Sequence, residues 1–190
     1  IFHAEGNETE TGETNTEDAT GVAAYSSLFI EKTIGNRFTV GYDYVPDGLA
    51  SEQAENKRKS QNVGGALGTP IFGITEHSNI VKVEFKDLTT AYVTFRIVDN
   101  FYAKVGHMSV DMISKEVLGT GSNYGDTTLD GQAWGFGYNK TFDNSMFLRS
   151  EFMRMDFDSA MLTSSTNADN TVQLNSLDGA RATISVGKSF

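Results

Sequence analysis

Hydrophobic and polar positions alternate with a period of two along much of the chain. Between Arg37 and Val45, the residues Phe38, Val40, Tyr42 and Tyr44 fall on one side and Arg37, Thr39, Gly41 and Asp43 on the other. That is the pattern of a strand with two unlike faces. The final stretch repeats it: Ala180, Ala182, Ile184, Val186 and Phe190 oppose Arg181, Thr183, Ser185, Gly187 and Ser189, with Lys188 the one charge on the apolar parity. Between Val81 and Ile97 the odd positions Val81, Val83, Phe85, Ala91, Val93, Phe95 and Ile97 are apolar and oppose polar even positions, interrupted at Asp87-Leu88-Thr89. This is one strand of about 17 residues or two joined there, and with no Gly, Pro or Asn to mark a turn one long strand is the expectation. Trp134, Phe136 and Tyr138 oppose Ala133, Gly135, Gly137 and Asn139. In two further segments the apolar parity changes once. Phe101, Ala103 and Val105 give way to Met108, Val110 and Met112, and Leu148 and Phe152 give way to Met153, Met155 and Phe157. A β-bulge is expected at each change, because one inserted residue shifts the alternation by one. Val22 to Thr33 is a weaker strand, and a first strand is expected at or before Ile1–Ala4.

The connections fall into two classes. Gly35-Asn36, Asp99-Asn100 and Asp143-Asn144-Ser145 are tight hairpin turns. The intervening segments, about 6–21, 46–79, 115–129 and 159–170, are long and polar, and Ser51–Ser60 within the second has the composition of a short helical turn. Eight strands with alternating short and long connections describe an all-β, antiparallel, up-and-down domain over 1–190, with the short turns at one end and the long loops at the other.

Which face is inside decides the class of protein. A soluble sandwich buries its apolar face, whereas a transmembrane barrel turns it to lipid and fills its interior with polar groups. The polar parity carries Asp43, Lys82, Glu84, Lys86, Arg96, Lys104, Asp111, Arg149, Glu151, Arg154, Asp156 and Arg181, seven bases against five acids, in a chain whose net charge is -10. A solvated face would share the acidity of the chain, while a closed polar interior needs near-balance because buried charges must pair. Segments such as 172–190 and 146–157 also reach the roughly 9–11 residues that cross a bilayer on a tilt. Aromatics near strand ends (Phe38, Tyr44, Phe101, Tyr102, Tyr138, Phe142, Phe147 and Phe190) suit interfacial girdles.

Composition sharpens this choice. Glycine is 19 of 190 residues, aromatics are 11% and proline is only 2 residues, a profile of many strands. The negative charge argues against nucleic acid as partner, since phosphate contacts need a basic face. Absence of cysteine excludes disulfides, thiolate catalysis and cysteine-bound metal centres. No apolar run is long enough for a transmembrane helix. The first 20 residues, with Glu5, Glu8, Glu10, Glu13, Glu17 and Asp18 and no base, do not read as a signal peptide, and a mature chain would begin in the same way.

The closing strand ARATISVGKSF, with its terminal Phe190, and the segments AYVTFRIVDNFYAKVGHMSVDMISKE and GQAWGFGYNKTF resemble the small eight-stranded outer-membrane β-barrels of Gram-negative bacteria, the OmpA-, OmpX- and OmpW-like, porin-like group. The resemblance spans nearly the whole chain as pattern more than as identities. It implies a location in the outer membrane and contact with outer-membrane lipid and lipopolysaccharide. It further implies recognition of Phe190 by the barrel-assembly machinery and loops free to meet extracellular or phage partners. The barrel interior would be filled by side chains, with Lys82, Glu84, Lys86, Arg96, Lys104, Asp111, Arg149, Glu151, Arg154, Asp156 and Arg181 as a paired lumen network. Two functions follow, a structural or surface-interaction role with a plugged lumen, or porin-like passage of small solutes. A soluble sandwich or lipocalin-like binding or fibre module stays open beside them.

Candidate chemistry is sparse. His107-x-Ser109-x-Asp111 has the residue types of a triad but sits on one strand, so interior packing is the expectation for His107. Gly64-Gly65-Ala66-Leu67-Gly68 lacks the Lys-Ser/Thr of a phosphate loop. The acidic run Glu5–Asp18 has no calcium-loop spacing, and Lys57-Arg58-Lys59 is the one basic cluster, placed to touch lipopolysaccharide phosphates if it faces outward. No enzyme, cofactor or metal site is expected.

Overall fold

A computed structural model of the chain describes the backbone of residues 1–10, 13–46, 49–50, 54–62, 73–118 and 122–190, and the side chains of these except 10, 13, 49–50, 54–62, 73–83 and 115–118. Among the described residues there is no helix. The strands are β1 (Phe2–Glu10), β2 (Glu13–Gly21), β3 (Leu28–Ile34), β4 (Phe38–Val45), β5 (Leu49–Ala50), β6 (Ala54–Asn62), β7 (Gly73–Val98), β8 (Phe101–Leu118), β9 (Thr127–Thr141), β10 (Met146–Phe157), β11 (Ala160–Thr163) and β12 (Thr171–Lys188). They form one antiparallel sheet in the order β2-β1-β12-β10-β9-β8-β7-β4-β3, with β11 on β12, and β5 and β6 on β7.

The sheet is curled but not closed. Arg149 on β10 and Glu31 on β3 are five strands apart in the sheet order, a separation of roughly 24 Å if the sheet were flat. Their side chains meet at 2.7 Å. Arg181 on β12 and Asp43 on β4 likewise meet at 3.0 Å. The concave side is therefore an interior. No ladder joins the two flanks of the seam, β3 and the lower part of β12, among the described residues.

The expected tight turns are present, and the left-handed backbone they need falls on Gly35 (φ 64°), Asn100 (φ 68°) and Ser145 (φ 64°). The long strand expected over 81–97 is part of the 26-residue β7. The long connections, by contrast, all contain strand among their described residues. Residues 6–10 and 13–21 lie in β1 and β2, Ala54–Ser60 of the segment expected as a helical turn lie in β6, and Ala160–Thr163 is β11. Thr14–Thr20 of β2 are exposed on both faces, so these polar residues carry no hydrophobic alternation that would mark a strand.

The bulges lie elsewhere than the alternation implies. Over Phe101–Met112 the β8–β9 ladder is unbroken, as are both ladders of β10. At these parity changes the backbone keeps its course and the apolar side chains change sides of the sheet. Met108, Val110, Met112 and Met153 are buried inside, whereas Val105, Leu148 and Phe152 are exposed outside. In β7 the reverse holds. The apolar parity is the same on both sides of Asp87-Leu88-Thr89, but the register shifts between Lys86 and Thr89, around Asp87 (φ 53°), whose carboxylate accepts a hydrogen bond of 2.5 Å from the Tyr44 hydroxyl. This bulge moves the odd residues from inside at Phe85 to outside at Val93 and Phe95.

Both observations describe one feature, an inversion of polarity along the sheet. Towards the end without the tight turns, which we term the far tier, Val45, Leu88, Met108, Val110, Met112, Leu129, Met153 and Leu177 form an apolar interior, and Asp111, Asp130 and Arg154 face out. Towards the tight turns, the turn tier, the outer face carries Ile30, Phe38, Val105, Trp134, Phe136, Phe152, Ile184 and Val186, each 38% or more exposed, and the interior is polar. Of the expected aromatic girdle, Phe38, Phe101, Tyr138, Phe142 and Phe190 are on the outside, but Tyr102 and Phe147 point inward and are buried. Their even and odd numbers placed them on the polar parity, and a strand-end position alone does not turn a ring outward.

Candidate functional site

The turn-tier interior holds three cations and three carboxylates in direct contact. Lys104 of β8 lies 3.0 and 3.1 Å from the two carboxylate oxygens of Glu151 on β10, and both side chains are under 5% exposed. Tyr102, two residues earlier on the same face of β8, donates a 2.6 Å hydrogen bond to Glu151 Oε1. The Lys104 ammonium also sits 3.7 Å from the centre of the Tyr92 ring, an attraction that strengthens once the cation is desolvated. Arg149, again two residues from Glu151, forms a fork with both oxygens of Glu31 at 2.8 and 2.7 Å, and Tyr92 donates to Glu31 Oε1 at 2.8 Å. The Arg149 guanidinium packs against the rings of Phe29, Phe147 and Tyr102 at 5.0–5.6 Å. Arg181 completes the set with Asp43.

Strand alternation is what brings these groups together. Tyr102/Lys104 and Arg149/Glu151 are neighbours on one face because side chains at i and i+2 share a face. The rings need space on the next strand, which glycine provides. Gly41 faces Tyr92 and Gly137 faces Tyr102 in the ladder, and a β-carbon on either would lie 2.4 or 2.3 Å from ring atoms. Every carboxylate in the cluster therefore meets a cation, and two of the three also accept a phenol hydrogen bond, the condition under which buried charge is tolerated.

Of the residues expected in the lumen network, Lys104, Arg149, Glu151 and Arg181 are in it. Arg96 is on the inner parity but exposed, lining a cavity of about 380 Å³ at the turn-tier mouth with Arg37. Asp111, Arg154 and Asp156 are exposed on the outer face instead. Asp111 accepts from the Thr128 hydroxyl at 2.8 Å and Arg154 pairs with Asp178 at 3.3 Å. Glu84 and Lys86 pair with each other at 3.6 Å and flank the inward Phe85, so they too face out. The side chain of Lys82 lies outside the described residues. The reason for all five corrections is the inversion: beyond it, the polar parity is the outer one. Glu31 was missed because it stands alone between Phe29 and Thr33 on a weakly patterned strand. The signal that marks it is its parity with Phe29, opposite the apolar Leu28 and Ile30.

His107 is not packed inside; it is two-thirds exposed on the outer face, 3.7 Å from Asp130. His3 meets the Thr20 hydroxyl at 3.2 Å on the β1–β2 hairpin. The glycine run 64–68 and the side chains of Lys57, Arg58, Lys59 and His77 lie outside the described residues. Among the described residues no group of three His, Asp or Glu side chains is arranged to hold a metal ion. The cluster is thus an internal network of three ion pairs, with each charge engaged by another. Comparison of the chain with protein-family models, with curated proteins and with solved structures finds no match in any of the three.

Proposed function

We propose that this chain is a bacterial outer-membrane protein of the eight-stranded barrel type. In this reading its turn tier spans the bilayer, its far tier stands in water, and its role is structural and surface-interacting rather than catalytic. The observation that carries the reading is the inversion. Trp134, Phe136, Phe152 and Ile184 expose 47–80% of their surface on the same part of the wall that encloses three ion pairs, five of whose six side chains are buried and the sixth, Glu31, mostly so. A folded protein in water gains by the opposite arrangement, since exposed rings forgo burial and interior charges lose hydration. In a bilayer both choices are favourable, because the outer face meets hydrocarbon and the strands satisfy each other's backbone groups.

The ion-paired cluster also favours a structural role over passive transport, because its side chains occupy the interior through which a solute would have to pass. Phe190, at the end of an alternating strand and fully exposed, suits recognition by the barrel-assembly machinery, and the far-tier hairpins are the surface offered to lipopolysaccharide or extracellular partners.

Trp134 is the only tryptophan in the chain, which makes the test direct. In vesicles of lipids brominated on their acyl chains, its emission is expected to be strongly quenched, and planar bilayers containing the protein are expected to show no conductance steps. A protein that stays monodisperse without detergent, with unquenched Trp134, would refute the membrane reading. Regular steps would replace the filled interior with a conducting path.

A further inference from the structure

The seam between β12 and β3 is shaped for one particular kind of occupant. Six antiparallel steps separate β3 from β12 in the sheet order, so the two strands run in the same direction. They cannot pair with each other in an antiparallel ladder, and one strand of opposite direction is needed between them. β1 has that direction. It pairs with β12 from Thr9↔Thr171 to Phe2↔Gly179, and Ile1 extends the ladder by exchanging two backbone hydrogen bonds with Ala180, at 2.9 and 3.1 Å.

Below that point the same edge of β12 has no partner strand among the described residues. Because Ala180 directs its N–H and C=O at Ile1, alternation directs those of Ala182, Ile184 and Val186 into the seam. β3, Leu28–Ile34, pairs with β4 on its other edge, and its facing edge has no partner strand among the described residues. A cavity of about 520 Å³ occupies the gap, with Tyr25, Ser27 and Phe29 on one wall and Arg181, Thr183 and Ser185 on the other. The ion pairs Arg149–Glu31 and Arg181–Asp43 tie the flanks together across the interior.

We propose that this seam is the seat of a single extended β-strand, covalently continuous with β1 on the amino-terminal side of Ile1, which pairs with β12 and β3 at once and closes the sheet into a barrel. The eight positions Arg181–Lys188 set its length. Register sets its composition. Ile1 is exposed on the outer face and Phe2 packs inside, so positions opposite Ala182, Ile184 and Val186 face out and are apolar. Those opposite Arg181, Thr183, Ser185 and Gly187 face in and are small or polar. The slot follows from sheet topology and holds whether the outer face meets lipid or water.

The test is residue-resolved amide exchange on the folded 190-residue chain, on the chain preceded by eight residues of that alternating pattern, and on the chain preceded by the same eight with proline at the outward positions. Arg181 and Thr183, whose amides point towards β10, report that the chain is folded. Ala182, Ile184 and Val186 are expected to exchange quickly in the first sample, on the order of a hundredfold more slowly in the second, and quickly again in the third, where each proline loses the N–H half of its two-bond pair with β12 and the ladder does not form. A chain in which Arg181 and Thr183 become protected only with the alternating extension supports the proposal equally. Slow exchange at Ala182, Ile184 and Val186 without any extension, meaning an edge satisfied by a second copy or by rearrangement, would overturn it, as would an alternating extension that leaves their rates unchanged.

Discussion

Glu151 and Arg154 stand three residues apart on β10 and meet opposite surroundings. Glu151 is buried against Lys104 and Tyr102, whereas Arg154, on the other face, is half exposed beside Asp178. The same contrast separates the two tiers of the whole sheet. In the far tier the interior is methionine, leucine and valine and the charges are outside. In the turn tier the interior is three ion pairs and the outside is aromatic and aliphatic. One sheet thus carries two solvation rules, and a charge on it has a cost set by its tier and face rather than by its chemical type.

The largest test of that contrast is Glu151→Ala. It leaves the Lys104 ammonium buried with no carboxylate, and one-sided removal of a buried pair costs about 3–5 kcal/mol. The heat-resistant folded band on unheated gels and the urea midpoint in vesicles should both fall sharply. Replacing Lys104 and Glu151 together by methionine should recover much of the loss, since no lone charge remains. An unchanged midpoint in Glu151→Ala would mean that the cluster is not a desolvated interior.

Next in size is a comparison of two outer positions on β9. Phe136→Arg places a cation on the turn-tier wall, where lipid exposure penalises it by about 2–4 kcal/mol near mid-bilayer. Gln132→Arg places the same cation four residues away in the far tier, where a solvated surface change stays within about 0.5 kcal/mol. Urea titrations of both variants in vesicles should differ accordingly, and equal midpoints would erase the distinction between the tiers. The smallest effect is expected for Arg154→Ala. An exposed ion pair contributes at most about 1 kcal/mol, so its folded fraction should match the parent within error. A loss as large as that of Glu151→Ala would place Arg154 inside after all.

Much of the wall was legible before the fold was known. The alternations at Phe38–Tyr44, Trp134–Tyr138 and Ala180–Val186 are strands in the structure, and Gly35, Asn100 and Ser145 adopt the positive φ that the turns require. The members of the charge cluster on β8, β10 and β12 were legible too, because a charge between two outward apolar residues has only one other face to occupy. Less legible was what happens where the pattern shifts. A parity change in β8 and β10 has the same appearance in sequence as a bulge, and the bulge at Asp87 is hidden because it cancels the inversion in β7. Partners were not legible at all: Glu31 lies 118 residues from Arg149, and Asp43 lies 138 from Arg181.

The amino-acid order by itself determined the strands, their turns and which side chains share a face, because these depend on local backbone geometry and a period of two. Tertiary structure alone decided which face is interior, where along each strand that assignment reverses, and which carboxylate meets which cation. Those outcomes depend on how the sheet curls and on what medium each face meets, and alternation carries no information about either.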